Sequence, residues 1–128
     1  MTWVIDASST VAYLLGEATD AERSALLDDA HAPALLDVET TQALRGLLRG
    51  SKITAERAEQ GRQELVELRV RRYADAALLR RAWELRDVCT TYDALYVALA
   101  EGLDATLVTR DERLASAVTS IVDVQVAG

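Results

Sequence analysis

The chain has 128 residues, half of them hydrophobic and 27% charged, which predicts one compact α/β domain over residues 1–128 with no room for a second. Its net charge of −7 argues against a generic nucleic-acid binder held by a bulk positive field. A single cysteine excludes a disulfide framework. The sequence shows neither a secretion signal nor an apolar run of about 20 residues, so we expect a cytoplasmic protein that does not span a membrane.

The first two predicted elements are a strand and a helix that meet at an acid. Residues 3–6 form an apolar run typical of a buried strand, with Asp6 at its C-terminal tip. Ser8 and Ser9 are expected to cap a helix that Gly16 terminates. In open parallel sheets such strand-to-helix junctions line the ligand crevice. Asp6 is therefore a candidate site residue.

A second helix and a second strand are predicted next. Thr19–Glu22 has the form of a capping box at a helix start. A short strand around His31 follows and ends at Pro33. We expect His31 to be structural, because it lies in this strand, far in sequence from the candidate acids.

The third helix, over residues 35–48, is predicted to stop at Gly50. Its apolar stripe recurs at three- and four-residue intervals and contains Leu36, Glu39, Ala43 and Leu47. A carboxylate on a buried face is costly unless it is paired or bound to a cation. Glu39 is therefore a second candidate, with Gln42 one turn further along.

The C-terminal half is predicted to contain three more helices and two strands. Helices are expected over residues 54–70 and 73–89, and over an apolar segment that starts at Thr91 and is closed by Gly102. Asp93 is the charge at the start of that segment. A buried strand over residues 105–109, a short helix beginning at Asp111 and a last strand over residues 122–126 complete the chain.

Strands that alternate with helical crossovers predict a mainly parallel sheet. We therefore expect a three-layer α/β domain with a central sheet of about four to five strands, flanked by helices on both faces. All strand tips of a parallel sheet point one way, so acids that follow the strands can converge at one edge.

Four acids occupy comparable junctions: Asp6, Glu39, Asp93 and Asp111. Taken alone, Asp93 is better explained as a helix cap. Taken together, clustered carboxylates are tolerated only with raised pKa values or with a bound cation. Oxygen-only ligands favour Mg²⁺ or Mn²⁺ over Zn²⁺, and a carboxylate-held Mg²⁺ pairs with phosphate oxygens. The pattern thus predicts metal-dependent phosphodiester hydrolysis.

The positive charges are concentrated in the middle of the chain. Residues 45–86 contain eleven Lys and Arg against six Asp and Glu, a local charge of +5, while the rest has three against fifteen, a local charge of −12. Mixed ion pairs on solvated helix faces would explain this asymmetry. Alternatively, Arg45, Arg49 and Lys52 flank an anion-binding groove whose acids are neutralised by a metal ion.

Four segments resemble the motifs of a known family. They are residues 4–8 (VIDAS), Glu39 with residues 43–45 (ALR), residues 91–100 (TYDALYVALA) and residues 107–114 (LVTRDERL). In this order and at this length they resemble the PIN-domain ribonucleases, specifically the VapC toxins of bacterial VapBC toxin–antitoxin modules. The resemblance extends from near residue 1 to near the C-terminus.

The resemblance assigns roles to these residues. It implies a PIN-like fold in which Asp6, Glu39, Asp93 and Asp111 bind Mg²⁺ or Mn²⁺. Thr109 maps to the hydroxyl residue beside the site, Ser8 to a small polar position after the first acid, and Gln42 stands where many relatives carry Asn. The family further implies a homodimer that cleaves RNA and is silenced by a VapB antitoxin, with Arg45, Arg49 and Lys52 as candidate RNA or antitoxin contacts.

The expected mechanism is attack of a metal-activated water on phosphorus, which leaves 5′-phosphate and 3′-hydroxyl ends. The alternative is a catalytically inactive scaffold that binds RNA or a protein partner. An aspartyl-phosphate enzyme or receiver domain is disfavoured, because Ser8 stands where a phosphatase needs a second Asp and Lys52 is the only lysine. Tyr92, Tyr96 and Trp83 are expected to serve core or dimer packing.

Overall fold

A computed structural model describes all residues 1–128 and contains five parallel strands in the order β3-β2-β1-β4-β5. The strands are β1 (Thr2–Ile5), β2 (Asp29–Pro33), β3 (Val70–Tyr73), β4 (Thr106–Thr109) and β5 (Val124–Val126). Because each connection between parallel strands must cross over, helices separate all of them. The predicted three-layer α/β fold with a parallel sheet is confirmed.

Seven α-helices and one 3₁₀ turn form the crossovers. They are α1 (Ala7–Leu14), α2 (Asp20–Leu27), α3 (Leu35–Arg49), α4 (Ala55–Glu67), the 3₁₀ turn (Asp75–Leu78), α5 (Leu79–Glu84), α6 (Thr91–Leu103) and α7 (Glu112–Val118). None of these helices combines the length and the apolar character that crossing a membrane requires.

The main error of the sequence analysis lies between residues 68 and 89. The fourth helix was predicted to reach Val70, but it ends at Glu67 and Val70 begins β3. The guanidinium of Arg72 donates hydrogen bonds to the carbonyls of Leu65, Leu68 and Val70, each at 2.8 Å. The bonds to Leu65 and Leu68 satisfy carbonyls at the end of α4 that a longer helix would have satisfied internally. The helix predicted from Tyr73 to Cys89 is likewise wrong, because Tyr73 lies in β3 and only residues 75–84 are helical.

Two predicted helix ends also differ. The N-cap of α1 is Asp6 rather than Ser8 or Ser9, since the Asp6 side chain accepts a hydrogen bond from the Ser9 backbone N–H. Gly102 lies inside α6, which instead ends at Leu103, and its C-cap is Asp104 in the left-handed conformation with φ 52°. Aspartate tolerates this conformation better than most residues. The predicted Thr19–Glu22 capping box at the start of α2 is confirmed, with both reciprocal bonds present.

The apolar stripe of α3 is rotated from its predicted position. Its buried residues are Leu36, Thr40 and Leu44, whereas Glu39 lies at the edge of that face and is half-buried. Glu39 is therefore not within an apolar stripe, as predicted, but beside it. The rotation brings its carboxylate to a margin that faces the start of α6, where it can meet other polar groups.

Helix α6 is the centre of the core. Its residues from Ala94 to Ala100 are all buried, and they belong to the packed interior together with Val4 and Ile5 of β1 and Leu107 and Val108 of β4. A helix buried on every side places its first turn at the boundary of the core. Asp93 lies in that first turn, close enough to Asp6 and Asp111, which follow β1 and β4, for their charges to raise its pKa.

Candidate metal centre

The site is built at the C-terminal ends of the two central strands. Strands β1 and β4 are neighbours with Ile5 opposite Val108, and the Asp6 backbone N–H donates to the Val108 carbonyl at 3.2 Å. Asp6 and Thr109, the next residues along, are therefore side by side. Asp111 follows two residues later. This arrangement is the one predicted from a parallel sheet whose strands end in acids.

Asp6 is buried and held by three hydrogen bonds. Its Oδ1 accepts from the Ser8 hydroxyl at 2.6 Å and from the Ser9 backbone N–H at 3.1 Å, and its Oδ2 accepts from the Thr109 hydroxyl. Burial raises the pKa of Asp6, and these hydrogen bonds offset part of that rise. Because a carboxylate can accept about four bonds, one position on Oδ2 stays open.

Thr109 links Asp6 to Asp111. The Thr109 hydroxyl donates to Asp6 and accepts from the Asp111 backbone N–H at 3.0 Å. Asp111 is the N-cap of α7, with Oδ1 accepting from the backbone N–H groups of Arg113 and Leu114, each at 3.0 Å. The cap fixes the direction of the exposed Asp111 side chain and leaves Oδ2 unused.

Asp93 lies close to both of these acids in electrostatic terms. Partial burial raises its pKa most, and the negative charge of Asp111 raises it further. The Thr90 side chain lowers the pKa, and the charge of Asp6 adds the smallest rise. Its backbone N–H is capped by the Thr90 hydroxyl at 3.2 Å. The start of α6 therefore brings a third carboxylate to the pair at the strand ends.

Glu39 joins the group through Tyr96. The Tyr96 hydroxyl donates to Glu39 Oε1 at 2.7 Å, and Tyr96 is only 1% exposed. Burial raises the pKa of Glu39, the Tyr96 hydrogen bond lowers it, and the charges of Asp93, Asp6 and Asp75 raise it. Burial and the adjacent Glu39 also raise the pKa of Tyr96. The charges of Asp93 and Asp6 thus act on Glu39, and those of Asp111 and Asp6 act on Asp93, although the four acids belong to separate elements.

Two residues at this site were missed by the sequence analysis. Tyr96 was expected only to pack, although its position three residues after Asp93 places both on one helix face. Asp75 lies within the helix predicted over residues 73–89, where an acid gives no separate signal. It begins the 3₁₀ turn, and its Oδ1 accepts from the Leu35 backbone N–H at the start of α3 at 3.0 Å.

Removing the Tyr96 hydroxyl should weaken the site without unfolding the chain. In Tyr96→Phe we expect a loss of about 1 kcal/mol in the free energy of unfolding, typical of one buried hydrogen bond. Any hydrolytic activity that uses Glu39 should fall by roughly 10-fold or more, as when other supporting partners of metal ligands are removed. Thermal unfolding and cleavage rates measured on one preparation check this. An unchanged rate would show that the hydrogen bond does not position Glu39.

The carboxylates form an open group rather than a closed cage. No three His, Cys, Asp or Glu side chains are close enough to hold a metal ion among themselves. Mg²⁺ suits such a site, because it keeps several of its waters and is bound through only one or two carboxylates. The donors are all oxygen atoms. Burial is the main cause of the raised pKa values of Asp6, Asp93 and Glu39, and neighbouring carboxylates raise those of Asp93 and Glu39 further, so a cation would stabilise their ionised forms. The residues therefore fit a largely hydrated divalent ion.

The remaining predicted site residues are not all near the acids. Ser8 bonds directly to Asp6, but Gln42 is exposed and lines a different groove, together with Asp37 and Arg45. Glu39 and Ser8 line a groove between α1 and α3 of about 560 Å³. The basic residues Arg45, Arg49 and Lys52 are exposed, and none of them forms an ion pair.

Three other predictions concern packing. His31 is buried, with Nδ1 2.8 Å from the Tyr73 hydroxyl and Nε2 2.7 Å from Asp29 Oδ1, so every polar atom of the ring is partnered within the sheet. That geometry agrees with a structural role. Tyr92 and Trp83 are 62% and 68% exposed, so neither packs in the core of the chain, and for these two aromatics only the alternative of dimer packing stays a prediction.

Comparison with known proteins gives consistent matches. The family model for the PIN domain matches residues 3–118. Ribonuclease VapC9 of Mycobacterium tuberculosis is 39% identical over 111 residues, which cover 87% of each chain. Ribonuclease VapC1 of the same organism is 41% identical over 118 residues, covering 89% of each chain.

Solved structures with the same fold include a crystal structure of PAE2754 from Pyrobaculum aerophilum, with a TM-score of 0.70 and 24% identity. That match covers 96% of this chain and 83% of the other. A second is VapBC2 from Rickettsia felis bound to a DNA fragment from its promoter, with a TM-score of 0.68 and 15% identity over the whole of both chains. At these identities the structures establish the shared fold.

Proposed function

The chain belongs to the PIN-domain family, among its VapC ribonucleases, and on that premise we propose that it is a metal-dependent endoribonuclease toxin of a type II toxin–antitoxin module. The observation that carries this proposal is the mutual electrostatic influence of Asp6, Glu39 and Asp93 at one edge of the sheet. Residues 1–128 act in it as one nuclease domain.

Each residue of the site has a defined role in this proposal. Asp6, Asp93 and Asp111 would hold Mg²⁺, or Mn²⁺ in its place, directly or through the waters that the ion keeps, and Glu39 would complete the pocket. Ser8 and Thr109 orient Asp6, and Tyr96 orients Glu39. When bound, the ion supplies Lewis acidity that neutralises phosphate charge and activates water for in-line attack. The contribution of the chain itself is to hold the carboxylates of Asp6 and Glu39 in fixed directions through these hydrogen bonds, so that the scissile phosphate approaches from the solvent side.

Arg45, Arg49 and Lys52 are proposed to contact the RNA backbone. Exposed cations without acidic partners are free to neutralise phosphates, and each contact with a single strand adds about 0.7 to the salt slope of binding. In Arg45→Ala/Arg49→Ala we expect a raised KM, an unchanged kcat and a salt slope lower by about 1.4. Arg69→Ala is the matched control, since Arg69 is exposed and forms no ion pair. It lies just before β3, at the N-terminal ends of the strands, whereas the acids lie at the C-terminal ends. Equal effects of the two changes would exclude a specific contact.

The partners follow from the family assignment. The relatives are named as VapC ribonucleases, and we propose a VapB-type antitoxin as the partner that silences this chain. A homodimer and a cytoplasmic location complete the proposal.

The function is tested with purified protein and labelled total RNA in Mg²⁺, with and without EDTA, followed by sequencing of the new ends. We expect cleavage only with the metal, and products with 5′-phosphate and 3′-hydroxyl ends. RNA binding without cleavage in either Mg²⁺ or Mn²⁺ would contradict the proposal and favour the inactive scaffold.

A further inference from the structure

A second buried charge lies outside the metal pocket. Glu22, on the first turn of α2, is 0% exposed, and its partner is Arg110 between Thr109 and Asp111. Arg110 Nη2 donates to Glu22 Oε1 at 2.6 Å, and Nε donates to Oε2 at 2.9 Å. The two-bond fork is the strongest geometry that an arginine and a carboxylate form.

This pair keeps Glu22 ionised. Burial alone would raise the pKa of Glu22, but the hydrogen bonds from Arg110 and other neighbours, together with the charge of Arg110, outweigh burial and lower the pKa to about 2. A buried ion pair is weak support for stability, since a well-packed apolar replacement is often equally stable. The pair therefore calls for an explanation in terms of position.

Arg110 connects the loop after β4 to three neighbouring segments. Its side chain reaches Glu22 of α2 and also donates to the Glu17 carbonyl at 3.1 Å. Its backbone N–H donates to the Ser8 hydroxyl at 3.1 Å. Ser8 in turn donates to Asp6. The loop that carries Thr109 and Asp111 is thus tied to α1 and α2 through the single residue between them.

We propose that Glu22 and Arg110 are positioning residues that hold Thr109 and Asp111 against Asp6 in the geometry that binds the divalent ion. This inference rests on the proposed function. Without the fork, the loop keeps the Thr109 and Ser8 bonds but loses its rigid attachment to α2. A displacement of about 1 Å at Asp111 would be enough to weaken the binding of an ion that Asp111 shares with Asp6.

The test uses a double variant, because Arg110→Met alone would leave a buried unpaired charge and destabilise the fold. Glu22→Gln/Arg110→Met removes both charges and keeps the capping box, since Gln serves there as well as Glu. The matched control is Arg81→Met/Glu101→Gln. It removes a second two-bond fork, with bonds of 2.7 and 3.0 Å, at the other end of α6 from Asp93.

The primary readout is Mn²⁺ affinity, measured by titration calorimetry or electron paramagnetic resonance on folded protein. We expect the Glu22/Arg110 variant to bind Mn²⁺ about 10-fold or more weakly, and the Arg81/Glu101 variant to bind as the parent does. Hydrogen exchange gives the second readout, and the Asp111 amide should lose protection only in the first variant. Equal Mn²⁺ affinity in both variants and the parent would overturn the inference.

The failure of the inference can be told from that of the proposed function. If the parent itself binds no Mn²⁺, both are overturned. If the parent binds Mn²⁺ and the Glu22/Arg110 variant binds it equally well, only the inference is overturned. Should the double variant not fold, Arg110→Lys keeps the positive charge but cannot form the fork. Weaker Mn²⁺ binding by Arg110→Lys at an unchanged Tm supports the inference, and parental Mn²⁺ affinity overturns it.

Discussion

Asp93→Asn should reduce the rate of RNA cleavage by about 10³-fold or more, and it should raise the melting temperature of the metal-free protein by a few degrees. The loss follows because a neutral amide cannot hold a divalent cation as a carboxylate does. The gain follows because burial and the charges of Asp111 and Asp6 raise the pKa of Asp93, so the ionised form costs stability. Opposite changes in activity and stability are characteristic of a functional residue.

The measurement pairs single-turnover cleavage in Mg²⁺ with thermal unfolding in EDTA. Asp87→Asn is the matched control, since Asp87 is an exposed acid six residues earlier in the chain. It should leave both quantities unchanged. If Asp93→Asn cleaved RNA at the parental rate, Asp93 would be no more than a residue in the first turn of a helix.

Mg²⁺ should stabilise the folded chain, and more strongly at about pH 7.5 than at about pH 5. The pKa values of Asp6, Glu39 and Asp93 all lie above their ordinary values of 3.8, 4.5 and 3.8. Each of these groups therefore stabilises the metal-free fold fully only at a pH below its ordinary pKa. That stabilisation is lost as the pH rises through the raised pKa of the folded state. Protons and the ion compete for the same oxygens, so stabilisation by the ion grows over the same range.

The size of the effect follows from mass action. An ion at 100 times its Kd adds about 2.7 kcal/mol to the free energy of unfolding. For a chain of this length that is on the order of 10 °C in Tm. Calorimetric scans with Mg²⁺ and with EDTA at both pH values check the prediction, with Asp6→Asn as the insensitive control. A shift of equal size in Asp6→Asn would place the ion elsewhere on the surface.

The acids were predictable because each has a local signal. Asp6 and Asp111 follow apolar runs of strand length, and Asp93 begins the most apolar helix of the chain. The parallel sheet then brings strand ends to one edge without further information. Glu39 was selected because it falls on a predicted apolar stripe of α3. The buried face of α3 is rotated from that stripe, and not all of the leucines that defined the stripe are buried.

Contacts between distant residues could not be predicted in this way. Glu22 and Arg110 are 88 residues apart, and the capping box at Thr19 fully explains Glu22 in local terms. Arg72 ends α4 by bonding backward to its carbonyls, and nothing in the preceding helical pattern signals this. Hydrophobic periodicity reports which face is buried, whereas such polar contacts depend on which elements become neighbours after folding.

The most direct test of the account is a crystal soaked in Mn²⁺ and measured at the manganese absorption edge. The account predicts one or two anomalous peaks with oxygens of Asp6 and Asp93 at about 2.1–2.2 Å, and with Asp111 bound directly or through water. Absence of a peak among these carboxylates, with the same ion bound elsewhere on the chain, would contradict it.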